Sequence, residues 1–147
     1  MSDHSLKAVA VTTAVTCVIV TALIVGVSFA HAGEPPRVFT TGQAVAGKAA
    51  FEKNCAVCHM RDLSGDMDAP PLAGTQFMSG WRSRNTKDLF QYMSTAMPPG
   101  SSPLTADAYA SITAYILQSN GAAAGPDALT PATVVAIGEA AGKAVSK

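Results

Sequence analysis

Residues 54–60 read Asn-Cys-Ala-Val-Cys-His-Met, and no other stretch constrains the chain so tightly. Cys55 and Cys58 bracket two residues, and His59 follows at once. Four chemistries use such a cluster: a disulfide, half of a zinc site, a redox-active dithiol, or the attachment point of a haem. Each needs different surroundings, so the rest of the chain decides among them.

The compartment comes first. From Ala8 to Ala30 there is no charged residue, Lys7 stands just before the run, and Ala30-His31-Ala32 forms a small-x-small pattern followed by Gly33, Glu34 and two prolines. This is the grammar of a secretory signal peptide cleaved after Ala32. The run of 23 residues is longer than a usual apolar core of a leader. As a helix it would reach about 34 Å, enough to cross a bilayer, so an uncleaved N-terminal anchor is the alternative. Both readings export the rest of the chain. Cys17 lies inside the run, is preceded by Thr16, and reads as a small apolar residue of the segment.

Cys55 and Cys58 are then the only thiols of the exported part. In a secreted chain an isolated pair is ordinarily a disulfide. Zinc needs about four ligands, and the only further histidine nearby is His31, beside the expected cleavage site. A thioredoxin-like pair needs a βαβ pattern, and none is visible. Covalent attachment of haem c fits C-x-x-C-H directly. Two thioethers fix the vinyl-bearing edge of the porphyrin, and the imidazole of the next residue then lies under the iron as proximal ligand. Export without other metal ligands favours one covalently attached haem c.

Charge adds little. Ten basic residues balance ten acidic ones, and no basic stripe marks a nucleic-acid partner. Glu52, Asp62, Asp66 and Asp68 lie near the cysteines while Arg82, Arg84 and Lys87 follow later, which reads first as solvated surface and second as opposed patches that orient a protein partner.

Hydrophobic spacing predicts an all-α domain. Residues 43–54 read as a helix leading into the cysteines, with Gly47, Ala50 and Phe51 on one face for a close helix crossing. Residues 60–80 lose the pattern, and Ser64–Gly74 is the Gly, Pro and Asp punctuation of a loop. Residues 86–96 recover it: Asn85 or Thr86 can cap the helix and Asp88 suits its first turn. Pro98 and Pro99 end it and push Met97 into extended backbone. Residues 105–120 form the clearest helix, capped by Thr105, with Tyr109, Ile112 and Ile116 on one stripe and Gly121 as its stop. Thr130 and Pro131 could start one more, Ala-rich helix.

A second iron ligand would have to face His59 across the porphyrin. Met60 is excluded, because a residue adjacent to the proximal histidine cannot cross the plane. Met93 looks committed to packing, and His31 lies in the leader. Met67 and Met78 remain open in or just after the loop. Met97 is favoured because the prolines release it from the helix.

The motifs "CAVCH", "APPLAG", "FMSGWRSRNTKDLFQYMSTAMPPG" and "AYASITAYILQSNG" together resemble the small class I c-type cytochromes, most closely the bacterial single-haem type associated with quinoprotein dehydrogenases. The resemblance covers residues 43–121. It implies a cytochrome c fold of about four helices around one haem. Position by position, it makes Cys55 and Cys58 the thioether cysteines, His59 the proximal ligand and Met97 the distal one. Pro70 would accept a hydrogen bond from the ligand imidazole, and Leu72 would pack on the haem. Trp81 matches an indole near a haem propionate, although a partly buried core tryptophan accounts for it equally well. Gly47 and Phe51 match a helix contact with Tyr115. The chain departs from the pattern at Met60, where glycine is common, and in its Ala-rich extension.

The expected organisation is a leader or anchor at 1–32, a linker at 33–42, the cytochrome domain at 43–121 and an extension at 122–147. His/Met ligation leaves no open iron position, which suits a one-electron carrier rather than an enzyme. Its partners would be a redox donor and acceptor outside the cytoplasm, such as a quinoprotein dehydrogenase and a terminal oxidase, with a membrane involved only if the leader stays attached. The rival expectations are a sensor, gas-binding or peroxidase-type haem protein with an open iron, and a cytochrome subunit of a larger dehydrogenase or oxidase complex. Nothing in the residues indicates an oligomeric state.

Overall fold

The architecture is set by a helix crossing at Gly47. In the computed structural model, which describes residues 33–67 and 69–142, helix α1 (Thr41–Asn54) meets helix α5 (Ala106–Ser119) so closely that a Cβ on Gly47 would lie 1.8 Å from the Ser111 carbonyl oxygen. One turn on, Phe51 packs against Tyr115 with ring centroids 5.4 Å apart. The expected contact of Gly47 and Phe51 with Tyr115's helix is therefore present. The expected leader or anchor, with Cys17, His31 and the expected cleavage site, lies outside the described residues, as do Asp68 and residues 143–147.

Between these two helices run α2 (Ala56–His59), α3 (Gly74–Trp81) and α4 (Thr86–Ala96), and α6 (Ile137–Ala140) follows α5. Of these six helices among the described residues, four exceed two turns, in agreement with an all-α cytochrome c fold. Among the described residues the only strand-like pairing is an isolated bridge between Asn85 and Ala136. None of these helices is long and apolar enough to cross a membrane.

The caps of α4 and α5 fall on Asn85 and Thr105, which the sequence offered for them, and α1 gains a cap from Thr40 that the sequence reading did not offer. The Thr40 hydroxyl accepts from the Gln43 N–H, the Thr105 hydroxyl accepts from that of Ala108, and Asn85 with Asp88 closes a reciprocal capping box. Eight residues of α5 are buried, so this helix is the axis of the core, with α1 and α4 packed on it.

Two expectations are corrected. Residues 74–80 form most of α3 rather than loop. Gly74, Gly80, Thr75 and Ser79 are weak helix formers, so the helix rests largely on burial of Phe77 and Met78. The second correction concerns the C-terminal extension. Thr130–Pro131 begins a turn, and the only helix beyond it is the four-residue α6. Residues 122–142 instead form a strap across the domain, whose Ala122, Leu129, Ile137, Ala140 and Ala141 are buried in the core.

Candidate functional site

The end of α1 delivers the first thiol. Cys55 leaves the helix at φ −123°, still donating its N–H to the Phe51 carbonyl at 2.8 Å. The chain then makes the single turn α2, closed by the His59 N–H on the Cys55 carbonyl at 2.9 Å. Neither cysteine is in a disulfide; Cys55 is half-buried and Cys58 exposed. Burial pushes the Cys55 thiol above its ordinary pKa, with Cys58 adding to the rise.

His59 is buried, at 8% exposure. Its Nδ1 lies 2.9 Å from the Pro70 carbonyl oxygen. A carbonyl only accepts, so Nδ1 carries the proton and Nε2 keeps the lone pair that a metal needs. A histidine fixed in this way is the usual form of a metal ligand.

The loop that supplies Pro70 is built from its own backbone. Gly65 donates to the His59 carbonyl at 3.1 Å, Asp66 to that of Ala69 at 2.9 Å and Leu72 to that of Leu63 at 2.9 Å. Asn120 then pins it to the core. Its Nδ2 donates to the Leu72 carbonyl at 2.9 Å, and its Oδ1 accepts from the Gly74 N–H at 3.0 Å, which caps α3 from outside. Leu72 is half-buried against the core beside this contact.

Met97, the methionine favoured from the sequence, stands at the C-terminal end of α4. Its N–H still donates to the Met93 carbonyl at 2.9 Å, but its backbone has turned to φ −130°, ψ 142°. The extended state expected before a proline is present. The Tyr109 hydroxyl donates to the Met97 carbonyl at 2.5 Å and accepts from the Leu104 N–H at 3.1 Å, closing the 97–104 loop at both ends. Met97 is half-buried and borders a cavity of about 240 Å³ whose other walls include Ala96, Pro98, Pro99 and Pro103. The other open candidates are placed differently: Met78 is buried in the core with Met93, and Met67 is fully exposed.

Trp81 is half-exposed at the end of α3. It stacks on Phe77 at 6.1 Å, receives the edge of Tyr92 at 5.7 Å, and carries the Arg84 guanidinium 4.8 Å above its ring. Both the packing reading and the propionate reading of Trp81 are compatible with this position. Asn120 and Tyr109 were not singled out as site residues from the sequence. Tyr109 stands on the apolar stripe of α5, where a buried hydroxyl must find a partner, whereas Asn120, the C-cap of α5, carries no such local signal.

With this geometry in place, comparison with known families decides the class. The family model for cytochrome c oxidase, cbb3-type, subunit III matches residues 42–116. The chain belongs to this family. Searches of curated proteins and of solved structures each returned no match. Membership makes the protein a c-type cytochrome with a covalently bound haem c and its iron, and an electron-transfer protein. The residues fit that group: two unpaired thiols one turn apart, and beside them an imidazole locked with Nε2 available. Among the described residues no cluster of three or more His, Cys, Asp or Glu could hold a different metal.

Proposed function

We propose that Cys55 and Cys58 are the thioether tethers of the haem, His59 its proximal ligand and Met97 its distal ligand, and that the protein passes single electrons between redox partners outside the cytoplasm. The observation that supports this reading most directly is the His59–Pro70 hydrogen bond of 2.9 Å, which leaves Nε2 as the nitrogen suited to a metal.

Haem c held by one histidine and one methionine supplies a one-electron couple, with the thioether sulfur raising its potential over bis-histidine ligation. The protein's own residues do the rest. The Pro70 carbonyl orients the ligand ring and keeps its electron density on Nε2. Phe51, Leu72 and Tyr115 keep water from the site, and an apolar surrounding disfavours the extra charge of the ferric state. Tyr109 holds the Met97 backbone at a fixed distance from α5.

The partners proposed are a donor such as a quinoprotein dehydrogenase and an acceptor such as a terminal oxidase. Export of the domain, by a cleaved leader or on an uncleaved anchor, belongs to the same reading and is supported by the uncharged run from Ala8 to Ala30. A second reading, a subunit resident in an oxidase complex, is favoured by the description of the matching family. Purification from membranes under mild detergent separates the two: a resident subunit co-migrates with oxidase subunits, and a shuttle does not.

The test is the optical and ligand-binding behaviour of the purified protein. The reading expects a low-spin iron in both oxidation states and no uptake of carbon monoxide by the reduced form. A high-spin iron that binds carbon monoxide readily would establish an open-site sensor or peroxidase instead.

A further inference from the structure

The strap formed by residues 122–142 lies beyond the part of the chain that matches the family, which ends at residue 116, yet it is bonded to both helices that lead into the site. At α1 the contact is reciprocal: the Gln43 amide donates to the Leu129 carbonyl at 2.7 Å and accepts from the Leu129 N–H at 2.8 Å. At α4 it is denser. The Thr86 hydroxyl donates to the Thr133 carbonyl at 2.6 Å and accepts from the Val135 N–H at 3.2 Å, while the Thr86 N–H donates to the Val135 carbonyl at 3.0 Å. Ile137 and Gly138 continue the latch, donating to the Arg84 and Arg82 carbonyls at 2.9 and 3.0 Å.

Thr86 is 1% exposed and is the first residue of α4. Met97 is the cap at the opposite end of the same helix. Eleven helical residues form a rod of about 16 Å. Its C-terminal end is tied to Tyr109 through the Met97 carbonyl, and its N-terminal end is tied to the strap through Thr86. A rod held at both ends has one axial and azimuthal setting, whereas a rod released at one end can pivot. We propose that the strap is a positioning element for the distal ligand: Thr86, gripped by Thr133 and Val135, sets α4 so that Met97 stays on the iron. This rests on the assignment of Met97 as distal ligand made above.

In the Met97-on state the sixth position is closed, so an added ligand binds only in proportion to the Met97-off population. The experiment uses the full-length holoprotein in its ferric form, with imidazole as the added ligand and the far-red iron–sulfur charge-transfer band as readout. Thr86→Val keeps the shape but leaves the half-buried Thr133 carbonyl and Val135 N–H without their hydroxyl partner, and imidazole affinity should rise about tenfold. Thr86→Ser, which retains the hydroxyl, should restore the wild-type affinity. Thr40→Ala removes the α1 cap at comparable cost in stability and should leave imidazole affinity unchanged. If Thr86→Val does not fold, Thr133→Ala, which removes the hydrogen bond from the Thr130 N–H that shapes the strap's turn, should shift affinity in the same direction. A band present in the wild type and an affinity unmoved by Thr86→Val, or moved equally by Thr40→Ala, overturns the strap's role alone. A wild type with no iron–sulfur band overturns the ligand assignment and this inference with it.

Discussion

Met60 is held at φ 58°, ψ 155°, at the edge of a backbone region that is nearly reserved for glycine and costs other residues about 1–3 kcal/mol. The strain explains why glycine is common at this position in the cytochromes the sequence resembles. It also has a direct consequence. Met60→Gly relieves the strain and adds roughly 0.5–1 kcal/mol of unfolded-state entropy. The net change should be a stabilisation of about 1 kcal/mol, read as a raised denaturant midpoint of the holoprotein with an unchanged slope. The motif around it was legible at this scale because few chemistries use Cys55, Cys58 and His59 at this spacing, and the surroundings narrow them further. The supports of the site were not. Asn120 grips the Leu72 carbonyl and the Gly74 N–H, partners 48 and 46 positions away, and no local pattern encodes so distant a hydrogen bond.

At the level of elements, the close approach at Gly47 is the most demanding contact. A methyl group there would sit 1.8 Å from the Ser111 carbonyl oxygen, and a backbone atom of a buried helix cannot step aside as a flexible side chain can. Gly47→Ala should therefore destabilise by about 3 kcal/mol or more, against the gain of up to 1 kcal/mol that alanine brings to an open helix. Thermal unfolding of the two holoproteins checks it. The three helices with strong caps and periodic apolar faces, α1, α4 and α5, were readable from the sequence. Helix α3 was not, because its residues carry weak intrinsic preference and its order comes from Phe77 and Met78 in the core. The strap escaped for a related reason: Thr130-Pro131 is a plausible helix start, but what orders the segment is the set of bonds from Thr133 and Val135 to the distant Thr86.

Across the whole molecule, charge plays a minor and predictable part. The hydroxyl and backbone N–H of Ser64 hold the Asp62 carboxyl below its ordinary pKa, and a hydrogen bond and the charge of Lys48 do the same for Glu52. Both groups bind protons more weakly folded than unfolded. Their contribution is therefore complete above the ordinary carboxylate range and is lost as the pH falls through and below it. Both are solvent-exposed, so the effect is small. Urea titrations followed by Trp81 fluorescence should show a shallow fall in stability below about pH 5, with the Lys48–Glu52 share weakened by added salt. The all-α class was legible because no stretch alternates at the strand period. The identity of the partners is written in neither scale of pattern.

The most direct measurement is the far-red iron–sulfur charge-transfer band of the oxidised holoprotein, compared across single methionine variants. The account predicts that the wild type shows the band, that Met97→Ala abolishes it and opens the reduced iron to carbon monoxide, and that Met60→Ala, Met67→Ala and Met78→Ala retain it. A band that survives Met97→Ala, or disappears with one of the other three while Met97 is intact, would contradict it.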